Sequence, residues 1–191
     1  MSAALETRLE AILRASPSMM QVLETTRQLD LPDWLIFSGA VYQRVLNHLT
    51  GREPDYGIKD YDLGYFDASD ISYEAEDVVI RRAAAAFAPP FDALVEVRNQ
   101  ARVHVWFERK FGEPYAPLSC SGEALERFVS ATFAVGVRLE RDDAMTIVAP
   151  FGLDDLFALR MRPNPNRKTG GFARTAAGLT SRWPELTVFP E

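Results

Sequence analysis

The sequence predicts an α/β domain with a helical N-terminal extension, and three observations lead there. Strand-like stretches near 34–37, 60–66, 95–105 and 133–150 alternate with amphipathic, helix-spaced segments. Over 191 residues the composition is that of a globular chain, 47% hydrophobic and 25% charged, which is enough to build one good core. No internal repeat, low-complexity tract or long linker breaks the pattern. One domain follows, with residues 1–30 as the extension, 31–165 as the core and 166–191 as a C-terminal helix and tail.

Each element has a local reason. Leu5, Leu9, Ile12 and Leu13 fall at helical spacing, so 3–15 reads as an amphipathic helix. Ser16 and Pro17 then supply the N-cap and first position of a second helix reaching about Gln28. Trp34 to Phe37 is a short continuous apolar run, hence a buried strand. Ser38–Gly39 turns the chain into a helix from Ala40 to about Leu49, with Gly51 as its C′ residue. A strand carrying Asp60 and Asp62 comes next. A helix then starts near Ser72 with Glu74, Glu76 and Asp77 in its first turns, favourable for the helix dipole, and ends before Pro89.

From Val95 to Val105 apolar and polar residues alternate, which predicts a long or bulged strand or a hairpin. Asn99 falls on the apolar parity and is expected at a bulge or as a buried amide bonding the backbone. A helix is expected after Ser121, then a hairpin turning at Arg141–Asp143, a short helix near 152–161 and a last helix over 172–182.

Charge and composition narrow the function. A net charge of −6 gives no global basic field, so nucleic acid is not an expected partner, although Arg160, Arg162, Arg167 and Lys168 cluster locally. The single cysteine, Cys120, excludes an internal disulfide framework, and His48 and His104 are too few for a histidine-rich metal site. Glu6, Arg8 and Glu10 interrupt any apolar signal sequence, and no stretch approaches the ~20 apolar residues of a membrane span. The expectation is a cytoplasmic protein with no membrane partner.

The stretch "GIKDYDLGYFDASD" carries the chemistry. Residues i and i+2 of a strand share a face, so the carboxylates of Asp60 and Asp62 stand side by side, with Cα atoms about 6–7 Å apart. Like charges so placed call for a cation between them, and oxygen ligands suit Mg²⁺ or Mn²⁺. Glu96, on the polar parity of the later strand, is the candidate third carboxylate, expected within metal-bridging reach of both aspartates. The plain alternative is a solvated strand edge. Ser38–Gly39, closing a buried strand and opening a helix, can cradle phosphate on free backbone N–H groups, or can be an ordinary capped turn. Arg98, Gln100, Arg102 and His104 share the parity of Glu96 and are candidate substrate contacts, as are Arg160 and Arg162 near the later Asp154–Asp155 pair. Trp34, Trp106 and Trp183 are expected as core or partly buried anchors, one of them a possible stacking surface for a base.

In this order the runs "SGAVYQRVLNHLTG", "KDYDLGYFD", "VRNQARVHVWF", "AVGVRL" and "APFGLDDLFALRMRPNP" make the chain resemble a small bacterial nucleotidyltransferase-like family within the DNA polymerase β-type nucleotidyltransferase superfamily. The resemblance implies a small mixed sheet flanked by helices. It also implies Mg²⁺- or Mn²⁺-dependent transfer of a nucleotidyl group from an NTP to a hydroxyl acceptor, with release of pyrophosphate. Ser38 and Gly39 would hold phosphates; Asp60 and Asp62 would bind metal; Glu96 would be third ligand or general base. The acceptor stays open. Two departures stand out: Ala40 follows the glycine where the superfamily has serine, and the third carboxylate is glutamate rather than aspartate. The alternatives are a member of the fold that binds nucleotide or metal without turnover, and an interaction protein of the toxin–antitoxin kind.

Overall fold

The computed structural model describes residues 3–167 and 171–189. Lys168, part of the basic cluster noted in the sequence, lies outside the described residues. Two helices open the chain, α1 (Ala3–Arg14) and α2 (Pro17–Gln28), and the Ser16 hydroxyl caps the second by accepting from the Met19 N–H. Strand β1 (Leu35–Phe37) runs straight into α3 (Gly39–Thr50), which Gly51 ends in the left-handed conformation at φ 67°. Strand β2 (Tyr61–Tyr65) is followed by α4 (Tyr73–Ala86), capped by Ser72, then by the single turn α5 (Phe91–Leu94) and strand β3 (Val95–Asn99).

The alternation read between Val95 and Val105 is strand only as far as Asn99. A 3₁₀ turn over Gln100–Arg102 leads into helix α6 (Val103–Phe111). The Asn99 side chain causes the break: its Oδ1 accepts from the Ala101 N–H at 3.1 Å and from the Asp67 N–H at 3.1 Å, and its Nδ2 donates to the Asp67 carbonyl at 2.8 Å. Asn99 is thus the buried, backbone-bonding amide. Val103, Trp106, Phe107 and Phe111 obey helical spacing as well, and Gly112 stops the helix at φ 73°. Because of this switch, Arg102 and His104 do not share a strand face with Glu96.

The segment after Ser121 forms 3₁₀ turns to Arg127 rather than an α-helix. The hairpin is present as β4 (Gly136–Leu139) and β5 (Met145–Val148), followed by the short helix α7 (Asp154–Phe157), β6 (Arg160–Met161), α8 (Gly171–Thr180) and β7 (Thr187–Val188). Among the described residues no helix is long and apolar enough to cross a membrane.

Five strands form a mixed sheet in the order β3–β2–β1–β4–β5, parallel only between β2 and β3. Register divides its faces. Ile36 pairs with Leu63 and with Val137, all three at most 1% exposed, and they join the helices in the main core. On the other face Leu35 lies opposite Gly64, and Phe37 opposite both Asp62 and Gly136. Leu35 and Phe37 pack there with Leu125 and Ala134 in a second, smaller cluster. Gly64 makes this packing possible, because a Cβ added there would lie 2.5 Å from Phe37 Cε1. The second face is incompletely covered, and the cleft lies on it.

Candidate active site

The parallel register sets Asp62 directly beside Glu96 on neighbouring strands. Adjacent strands run about 4.8 Å apart, so two carboxylates share one face at close quarters. Asp60 sits one residue before β2 and is exposed; Asp62, inside the strand, is partly buried. Burial, followed by repulsion from Asp60, pushes the Asp62 carboxyl up to about 6, while the Ser38 hydroxyl, donating to it, pulls the other way. Asp60 is raised too, by burial and by Glu96. The three acids therefore feel one another electrostatically.

Their side chains have not converged. Among the described residues no three acidic, histidine or cysteine side chains are gathered closely enough to hold a metal ion. The expectation that Glu96 stands in bridging reach of both aspartates is not met by these side-chain positions. Arg98, two residues on from Glu96, offers it a counter-charge, with Nη2 3.6 Å from Oε2. Both partners of that pair are about half exposed, so it holds Glu96 weakly. Hard oxygen donors on adjacent strands, with Asp60 and Asp62 raised in pKa by burial and then by neighbouring carboxylates, suit a divalent cation in donor chemistry and in backbone register.

Ser38 occupies an unusual backbone conformation for a residue with a side chain, φ 66° and ψ −142°. Such a conformation costs on the order of 1–3 kcal/mol and persists where surrounding structure enforces it, commonly at functional sites. It aims the Ser38 hydroxyl at Asp62 and leaves the first N–H groups of α3 at the same turn.

Ser38 and Asp62 border a cavity of about 470 Å³, ample for a nucleotide-sized ligand. Its sheet wall holds Phe37, Ser38, Asp62, Arg98 and Gln100. Facing it, α6 contributes Trp106, Phe107 and Phe111, joined by Phe128 and Phe133. These rings brace one another: Phe107 lies 4.7 Å from Phe111 and 4.5 Å from Tyr115, and Tyr42 stacks on Phe133 at 4.2 Å. Arg167 also lines the cavity, paired with Glu113 at 2.8 Å and lying over Phe107.

Of the residues singled out in the sequence, Ser38, Asp62, Arg98 and Gln100 line the cavity, and Asp60 and Glu96 flank it. The other four candidate contacts lie elsewhere. Arg102 is buried and donates to Glu76 at 2.5 Å and to the Ile71 carbonyl at 3.1 Å. His104 lines no part of the cavity, and its Nδ1 is buried without a hydrogen-bond partner among the described residues. Arg160 and Arg162 both grip Asp155, at 2.7 and 2.8 Å, and fix the corner between α7 and β6. Their charge is committed to structure.

The aromatic wall was the part sequence reasoning missed. Its signal was present in the helical spacing of Val103, Trp106, Phe107 and Phe111, hidden because the preceding residues alternate. Trp34 and Trp183 are core residues, 5% and 0% exposed, and Trp106 is the tryptophan on the cavity.

The mixed sheet, the strand–Ser–Gly–helix turn and the acids on adjacent strands match the nucleotidyltransferase fold expected from the sequence, and two comparisons agree. A family model described as "Nucleotidyltransferase" matches residues 24–188, and the chain belongs to that family. A solved structure, reported as an NMR structure revealing a CCA-adding enzyme head domain, is similar to it at a TM-score of 0.73 and 24% identity. That likeness covers 95% of this chain and 96% of the other, and it is one of fold. No curated protein sequence matches the chain.

Proposed function

We propose that the protein transfers a nucleotidyl group from a nucleoside triphosphate to a hydroxyl acceptor, with a divalent metal bound by Asp60, Asp62 and Glu96. The observation that carries this reading is the Asp62–Glu96 pairing at the rim of an aromatic cavity, with Asp60 close enough to perturb Asp62. When bound, Mg²⁺ or Mn²⁺ would neutralise charge on the triphosphate and on the leaving pyrophosphate. The chain's own residues would do the rest. The turn at Ser38–Gly39 presents N–H groups of α3 to the phosphates. Trp106 and Phe107, their rings inclined at 40° to each other, would give the base apolar faces to lie against, and Arg98 and Arg167, which both line the cavity, would supply cations for the phosphate tail. Glu96, exposed at the strand edge, would accept the acceptor's proton or complete the metal ligands.

Calorimetric titration of each NTP into the protein, with Mg²⁺ and with EDTA, beside an Asp62→Asn variant, tests the proposal. Binding that requires both metal and Asp62, followed by pyrophosphate release once an acceptor is supplied, is the expected result. Metal-independent binding, unchanged in the variant, would sink it. A second reading, nucleotide binding without turnover, draws on the Glu96–Arg98 pair and on Ala40 in place of the post-glycine serine. It predicts metal-dependent NTP binding with no pyrophosphate released to any acceptor.

A further inference from the structure

A groove of about 320 Å³ runs between α4 and α6, beside the edge strand β3. Four cations line it, Arg98, Arg102, Arg109 and Lys110, against one acid, Glu76. Arg102 already neutralises Glu76 through a buried contact, and Arg98 is held only loosely by Glu96 at 3.6 Å, so Arg109 and Lys110 supply the unpaired positive surface beside it. Arg109 and Lys110 are exposed, and no carboxylate among the described residues pairs with either. Aromatic rings alternate with these charges. Tyr73 is 58% exposed and lies 5.7 Å below the Arg102 guanidinium, and Lys110 Nζ sits 5.4 Å from the Trp106 ring centre. Arg98 and Trp106 line this groove and the Asp62 cavity alike, so the two adjoin at these residues.

From these features we infer that the groove binds the single-stranded end of a nucleic acid, which enters the cavity from it as the acceptor. The inference rests on the nucleotidyl-transfer reading for the acceptor role, and on the groove alone for the binding. Spaced cations tracking a backbone, with exposed rings between them for bases to stack on, are what a single strand requires. A small phosphate ester would need one compact cluster, whereas Arg98 comes from β3 and Arg109 and Lys110 from the last turn of α6. An acidic peptide would have no use for the exposed ring of Tyr73. The net charge of −6 removes long-range attraction but leaves the local field, which acts over roughly a Debye length of 8–10 Å at physiological salt.

The test is fluorescence anisotropy of end-labelled single strands (about 12 nucleotides, within the ~4–16 spanned by single-strand sites) against the full chain over a salt series. RNA and DNA versions are run, beside an R109A/K110A double variant. Both residues are exposed and outside the Asp62 cavity, so the variant should keep its melting temperature and its NTP titration. Expected is salt-sensitive binding by the wild type, weakened about tenfold or more in the double variant, with the log–log salt slope reduced by about 1.4 for two lost phosphate contacts. Equal binding by wild type and variant, absence of strand binding at low salt, or displacement of the strand by inorganic phosphate at equal concentration would overturn the inference. Strand binding lost with Mg²⁺–NTP binding intact strikes only this inference. The opposite pattern strikes the nucleotidyl-transfer reading, and the acceptor role with it, and leaves the strand binding standing.

Discussion

On one face of the sheet Ile36, Leu63 and Val97 are each at most 2% exposed, while on the other the same strands carry Phe37, Asp62 and Glu96. The first face is the better satisfied: apolar side chains meet α1 to α4, and the largest buried polar group there is fully paired, although Thr26 Oγ1 has no partner among the described residues. Arg44 illustrates this, because although only 1% exposed it donates to Ser16, Ser18, Asp55, Tyr61 and the Ala40 carbonyl. The second face is frustrated. It holds an aspartate pushed to about 6, a serine in the left-handed φ range and an open cavity. The contrast teaches where stability and function are placed: local conflict concentrates on the face that must bind something, and the opposite face carries the stability that tolerates it.

The largest expected effect comes from Asp62→Asn. Transfer activity should fall at least about 10²–10³-fold, the loss typical when a preorganised group at the reacting charge is removed, as followed by pyrophosphate release. Stability should move the other way. In EDTA, Asp62 titrates near 6 when folded against 3.8 in its unperturbed state. A raised folded pKa means the folded protein holds the proton more tightly, so the stabilisation is complete below about pH 4 and is lost as pH rises through 6. Wild type minus variant, by urea denaturation at pH 4 and pH 8, should therefore differ by about 2–3 kcal/mol, the variant gaining at pH 8. A difference that does not depend on pH would show that the second face is not electrostatically frustrated.

Leu63→Ala breaks the satisfied face instead. Removing a buried leucine beside Ile36 should cost about 2–5 kcal/mol, read as a lower urea midpoint at unchanged m-value. The NTP titration should survive wherever the protein remains folded. Gly64→Ala probes the boundary, because its methyl would collide with the Phe37 ring. A loss of about 1–3 kcal/mol is expected, with weaker NTP binding as Phe37 shifts beside Asp62. The smallest effect belongs to Ser38→Gly. Relieving the φ of 66° should raise stability by about 1 kcal/mol. Loss of the hydroxyl should move the Asp62 titration upward, measured by NMR of its carboxyl carbon. A downward shift would mean that Ser38 does not donate to Asp62.

Much of this was legible before folding, for local reasons. Ser16 and Ser72 cap the helices expected of them, Gly51 ends α3, and the hairpin turns at Arg141–Asp143. Asp60, Asp62, Ser38 and Gly39 could be picked out because their spacing in a strand and at a helix start is itself the signal. Arg102, Arg160 and Arg162 could not be judged in the same way. Whether an arginine serves a ligand or a structural partner depends on carboxylates brought close by folding, here Glu76 from α4 and Asp155 from α7. The alternation after Val95 satisfies two periodicities at once, and the Asn99 side chain chooses between them by bonding to Asp67, 32 residues away.

By itself the sequence determined the elements, most of their caps, and the two aspartates that share a strand face, since these depend on side chains and backbone within a turn or two of each other. Tertiary structure alone decided that Glu96 lies beside Asp62, that α6 turns its aromatic side toward them, and that the basic groove adjoins the cavity at Arg98. Strand register and helix docking are fixed by packing across the whole sheet, where a shift of one residue would put every side chain on the opposite face.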